Sequence, residues 1–188
     1  NGWGNRYAYN EVYGIGGEEE LGELLEELWL EKWYDSGDWD SERLSLIDMT
    51  KQPDGSYIFK DDDGAEYVLT MTATTVVNGT TTYEVVVSSG SLSAKAYIKV
   101  TAQGSVPTAV EGQESQISLA GGAEPGRKFW KFVPSETGYY DAAVTGSLGA
   151  PTQMVVLENN TSGYLEYKGV QGGWLMEQGT EYYIGVDY

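Results

Sequence analysis

Four short glycine turns constrain this chain more than any other feature. "QPDG" (52–55), "DDDG" (61–64), "VNGT" (77–80) and "SSGS" (88–91) punctuate residues 43–101 at close intervals. Asn-Gly and Asp-Gly favour tight hairpins because glycine accepts positive φ without a steric penalty. Between the turns, apolar residues alternate. Tyr57 and Phe59 share one face, as do Tyr67, Leu69, Met71 and Ala73. Tyr83, Val85 and Val87 follow, then Ala96, Ile98 and Val100. Period-2 alternation with one apolar face predicts a five-stranded antiparallel meander that needs a cover.

The cover is expected just upstream. Leu21, Leu24, Leu25, Leu28 and Trp29 repeat at helical spacing, with Trp33 a turn later, so a helix is predicted over 17–33. Glu18, Glu19 and Glu20 fall in its first turn, where the helix dipole favours anions. Such a helix either lies on the sheet or docks a basic partner, and the sheet is the expected place. The preceding "NGWGNRYAYNEVYGIGG" carries Trp3, Tyr7, Tyr9 and Tyr13 and reads as extended or irregular chain whose rings either pack on the following domain, the expected place, or stand exposed for stacking.

"TAQGSVPTAVEGQE" (101–114) interrupts the pattern with Gly, Pro and small polar residues. We therefore expect a helix-plus-meander domain at 1–104, a linker at 105–112 and a second β domain at 113–188. In the second half, "SQISLAG" alternates Ile117 and Leu119, and "RKFWKFVPSETGYYDAAV" (127–144) holds five aromatics. Parity puts Trp130 and Phe132 on the inner face of one strand, with Phe129, Lys131 and Val133 outside. Tyr140, Ala142 and Val144 continue the inner set, and Tyr139, Asp141 and Ala143 point away. The fold class is thus mainly β: a meander with one amphipathic helix, then a β-sandwich or jelly roll.

The second half also resembles a known family. "KFWKFVPSETGYYDAAVTG", "MVVLENN" and "LMEQGTEYYIGV" resemble the bacterial pre-peptidase C-terminal domain. That family has an aromatic-x-Phe strand ending in Pro, a Ser/Thr-x-x-Gly turn, a Tyr strand and a closing Leu-x-x-Gly-Thr-x-Tyr-Tyr-x-x-Val pattern. Here Gly179, Thr180, Tyr182, Tyr183 and Val186 match. Leu175 stands one residue too far from Gly179, and Met176 fits the shorter spacing. The likeness covers about 75 residues. It implies a small non-catalytic β-sandwich appended to secreted peptidases or polysaccharide-degrading enzymes, of which some members bind polymers and some calcium. No calcium ligand carries over to a position of this sequence.

Charge and missing residue types narrow the chemistry. A net charge of −18 repels phosphate backbones and anionic bilayers, so neither nucleic acid nor membrane is an expected partner. With no His and no Cys, His-based triads, HExxH zinc sites, thiolate metal sites and disulfides are excluded. Asn1 in place of a starting Met leads us to expect a piece of a longer protein. The Cys-free, Tyr/Thr/Gly-rich texture is similar to that of secreted proteins of Gram-positive bacteria, and an extracellular or cell-surface location is expected.

The expected function is a non-catalytic accessory module binding polysaccharide. Sugar rings stack their apolar C–H faces on Trp and Tyr, and carboxylates and amides bond their hydroxyls. Trp39, Trp174, Tyr164 and Tyr167 lie beside Gly or acidic residues in presumed turns or edges, and together with Tyr139 they are the ligand candidates. The alternative is a structural spacer that meets neighbouring domains or a protein polymer. Acids gather in the helix and turns rather than along a strand lining a cleft, so no enzyme is expected. Asp61, Asp62 and Asp63 form a candidate metal site, with calcium as the candidate ion. "DSGDWDSE" resembles the start of an EF-hand, but Arg43 occupies the glycine position and Met49 the final Glu position, so that motif fails.

Overall fold

The computed structural model describes residues 11–34, 36–116, 126–143, 154–159, 165–169 and 173–188, with 159 and 165–169 as backbone. The expectations for Trp3, Tyr7, Tyr9, Ile117, Leu119, Val144 and Tyr164 lie outside them. The described residues are mainly β with one short α-helix, and the chain divides into two compact units, residues 1–105 and 106–188.

The first unit is built on a six-stranded sheet. In chain order its strands are β1 (Glu11–Ile15), β4 (Thr50–Lys51), β5 (Tyr57–Lys60), β6 (Glu66–Val77), β7 (Thr80–Ser89) and β8 (Leu92–Thr101). β4 to β8 run antiparallel in sequence order, and β1 adds to the far edge, parallel to β8. Asn78 at φ 49° and Gly79 at φ 79° form the two-residue turn between β6 and β7, so Val77 pairs with Thr80. Positive φ at both central positions matches the twist of the flanking strands. That register sends Leu69, Val85, Val87, Ala96, Ile98 and Val100 to one buried face.

The cover is shorter than the leucine spacing predicts. A 3-10 turn at Glu18–Glu20 leads into α1 (Leu21–Leu25), and the helix ends there. Residues 29–33 are a strand, β2 (Trp29–Trp33), paired antiparallel with β3 (Trp39–Arg43). The predicted helix over 17–33 is therefore corrected to a single turn and a hairpin. Leu21, Leu24, Leu25 and Leu28 still join the same core as the sheet. Leu24 packs on the bare backbone of β1, where a Cβ at Gly14 would lie 2.5 Å from Leu24 Cδ1.

The second unit holds a four-stranded sheet of β9 (Arg127–Phe132), β11 (Met154–Asn159), β12 (Leu165–Gly169) and β14 (Tyr182–Asp187), in the order β12-β11-β14-β9. A two-stranded sheet pairs β10 (Gly138–Tyr140) with β13 (Trp174–Met176). Residues 107–109, read above as linker, are bonded to β9: Lys131 N–H donates to Pro107 C=O at 2.8 Å and Ala109 N–H to Lys131 C=O at 2.7 Å. They belong to this unit.

Trp130 and Phe132 are buried as parity predicts, and Tyr140 meets Phe132 edge-on at 5.2 Å. Phe129 departs from its expected outward place and is only 3% exposed. Its register partner is Gly185, and a Cβ there would come within 3.0 Å of the Phe129 ring. The missing side chain lets the ring lie down on the sheet. Arg127 forks onto Asp187 at 2.6 and 3.2 Å at the end of the same strand pair.

Candidate functional site

The β2–β3 hairpin turns through Tyr34–Asp38. Tyr34 N–H donates to Asp38 C=O and Gly37 N–H to Tyr34 C=O, both at 2.9 Å, and Gly37 takes φ 87°. Tyr34 and Asp38 thus occupy a hydrogen-bonded position, so the next pair, Trp33 and Trp39, sits where facing side chains approach most closely. Their rings stack with centroids 6.1 Å apart and planes 29° from parallel. Trp33 remains 53% exposed and Trp39 59%. Strand parity puts Trp29 and Glu31 on the same face, and Trp33 Nε1–H reaches Glu31 Oε2 at 3.4 Å.

The opposite face anchors the hairpin. Leu30 enters the core, and Lys32 reaches two acids. Its ammonium lies 2.8 Å from Glu42 Oε2, an ion-pair approach off the hydrogen-bond axis, and donates to Asp61 Oδ2 at 3.0 Å. Asp61 is saturated. Oδ2 also accepts from Tyr67 OH at 3.0 Å, and Oδ1 accepts from Asp63 N–H at 3.0 Å and Ala65 N–H at 2.9 Å. The side chains of Lys32 and Asp61 are 15% and 7% exposed.

Partial burial opposes the charge on Lys32, but the Glu42 and Asp61 carboxylates overcome it and hold the ammonium well above its ordinary range. Burial pushes Asp61 up, and its bonds to Lys32, Ala65 N–H and Tyr67 outweigh that, leaving the carboxyl below its ordinary value. Tyr67 is raised, by burial first and then by the Asp61 hydrogen bond. A cavity of about 330 Å³ opens beside this network, lined among others by Leu30, Lys32, Trp33, Tyr34, Asp61 and Tyr67.

Of the sequence candidates, Trp39 belongs to this site. Trp174 does not: it is 9% exposed, packed with Phe132, Met176 and Tyr182 in the second unit. Its glycine neighbours suggested an exposed turn, but it pairs with Tyr140 inside a strand whose alternate residues face inward. Tyr139 is 81% exposed, opposite exposed Leu175. Tyr167 lies on β12, with its side chain outside the described residues. Asp61 faces Lys32, whereas Asp62 and Asp63 stay exposed in the turn. Among the described residues no three acids gather to hold a metal ion. Sequence reasoning missed Trp33 and Tyr34 as site residues. The signal was present in "WYDSGDW", a glycine turn flanked by aromatics on both sides.

No protein-family model, curated protein or solved structure matches this chain. Among the described residues no helix is long and apolar enough to cross a membrane.

Proposed function

We propose that this chain is a non-catalytic polysaccharide-binding module of an extracellular or cell-surface bacterial protein, with Trp33 and Trp39 as its sugar-stacking platform. The observation that carries this reading is the exposed, stacked Trp pair beside a mainly apolar cavity that Lys32 and Asp61 also line. Two large ring faces are left in water beside a hydrogen-bonded turn, where a sugar ring can stack on them. Glu31, on the Trp face, and Asp38, in the turn, stand on the same hairpin as acceptors for hydroxyl groups. Lys32 is matched by two acids, so the local charge favours neutral over anionic glycans. The resemblance of the second half to an accessory β-sandwich supports the same reading.

A structural spacer is the competing reading, because a cross-strand Trp pair also stabilises a hairpin by itself. Affinity gels cast with cellulose, xylan, pectin or collagen separate the two. A binding module is retarded on a polysaccharide, and Trp33→Ala and Trp39→Ala release it while circular dichroism stays unchanged. Unretarded migration on every polymer overturns the binding reading.

A further inference from the structure

We propose that Lys32 and Asp61 condense into an intramolecular isopeptide bond, with Glu42 as the base that serves the reaction. Four parts of an acyl-transfer site surround one carboxyl. The amine to attack it is Lys32 Nζ, 3.0 Å from Oδ2. The Asp63 and Ala65 N–H groups, at 3.0 and 2.9 Å from Oδ1, form a ready oxyanion hole. Glu42 Oε2, 2.8 Å from Nζ, can take a proton from nitrogen. Tyr67 OH, 3.0 Å from Oδ2, holds the oxygen that must leave.

The reaction needs no co-reactant. One ammonium proton passes to Asp61 Oδ2, giving a neutral amine and a neutral acid. The nitrogen lone pair forms the Nζ–Cγ bond, and the carbonyl π pair moves onto Oδ1. Glu42 removes a second proton from nitrogen and returns it to Oδ2. The Cγ–Oδ2 bond breaks, water departs, and the Oδ1 carbonyl reforms. The third proton stays on the amide nitrogen, and the pair's opposite charges vanish together.

The resting pair is ionic, so the reactive neutral form is the minor one and the step is slow. Two effects work in its favour. Held partners react with effective molarities of about 10⁵–10⁸ M. A neutral amide also suits a mostly buried position better than two charges do. The bond would close a loop across 29 positions and tie the β2–β3 hairpin to the turn between β5 and β6. The chain has no cysteine for that task.

Intact-mass measurement on the whole purified chain tests this directly. The expected wild-type mass is one water below that of its sequence, with a linked peptide pair containing Lys32 and Asp61 after digestion. Lys32→Arg keeps the charge with a poor nucleophile and is expected at full mass. Glu42→Gln removes the base and is expected at full mass when fresh. A wild-type chain still at full mass after days of incubation overturns the proposal. So does a water loss that maps to Asp54-Gly55 or Asp63-Gly64 and disappears in mild alkali, because that marks a succinimide rather than an amide.

Discussion

Phe129, Trp130 and Phe132 on β9 are all buried, whereas Trp33 and Trp39 on the β2–β3 hairpin each keep more than half their surface. Both stretches mix aromatic and charged residues, so composition does not separate them. Their neighbours do. β9 pairs with β14 along its whole length, is bridged by residues 107–109, and faces a glycine where a ring must lie flat. The hairpin is a two-stranded sheet whose one face carries Leu30 into the core and whose other face is left to solvent. An aromatic residue becomes a core residue or a platform according to what its strand pairs with.

Truncations on β9 should break the comparison most severely. Trp130→Ala and Phe132→Ala each remove a buried ring and are expected to destabilise the second unit by about 3–5 kcal/mol in urea titrations. Phe129→Ala should fall in the same range. A cost below about 1 kcal/mol for it would restore the outward face that parity predicts. Gly14→Ala is next: a methyl pressed onto Leu24 should cost about 1–3 kcal/mol, read as a lower denaturation midpoint of the first unit. On the hairpin, Trp33→Ala and Trp39→Ala should each lower stability by only about 0.5–1.5 kcal/mol, while polysaccharide affinity drops by about tenfold or more. Tyr139→Ala should change stability by no more than about 0.5 kcal/mol.

The Lys32–Asp61 contact adds a pH test. Against burial, Asp61 is held below its ordinary 3.8 by Lys32, Ala65 N–H and Tyr67, and an uncondensed Glu42→Gln chain keeps those three partners. The Asp61 contribution is complete above that pH and is lost as pH falls through the lowered value. A condensed wild-type chain has no such titration. The wild-type stability advantage should therefore grow as pH is lowered past 3.8, in parallel acid-unfolding curves.

The central sheet was legible because each strand alternates and each turn carries a glycine, so local and global signals agree. The end of the helix was not. Trp29 and Trp33 are four residues apart, which puts them on one face of either a helix or a strand, so periodicity does not choose between the two. Pairing with Trp39–Arg43 decides it, and that is a tertiary fact. Trp39 was legible as an exposed ring; its partner Trp33 was hidden by the helix assignment. Trp174 was misread because adjacent glycines outweighed its parity with Met176. Lys32 and Asp61 meet across 29 positions of chain, a separation that no local pattern encodes.

The edge strand β1 has a mechanical consequence. It runs parallel to β8, the last strand of its unit, with Glu11 opposite Tyr97 and Ile15 opposite Thr101. Tension entering before Glu11 and leaving after Thr101 pulls the two strands along their length in opposite directions. Every hydrogen bond between them then bears load at once, in shear, instead of opening one at a time like a zip. That placement sets the first unit to resist pulling from its ends.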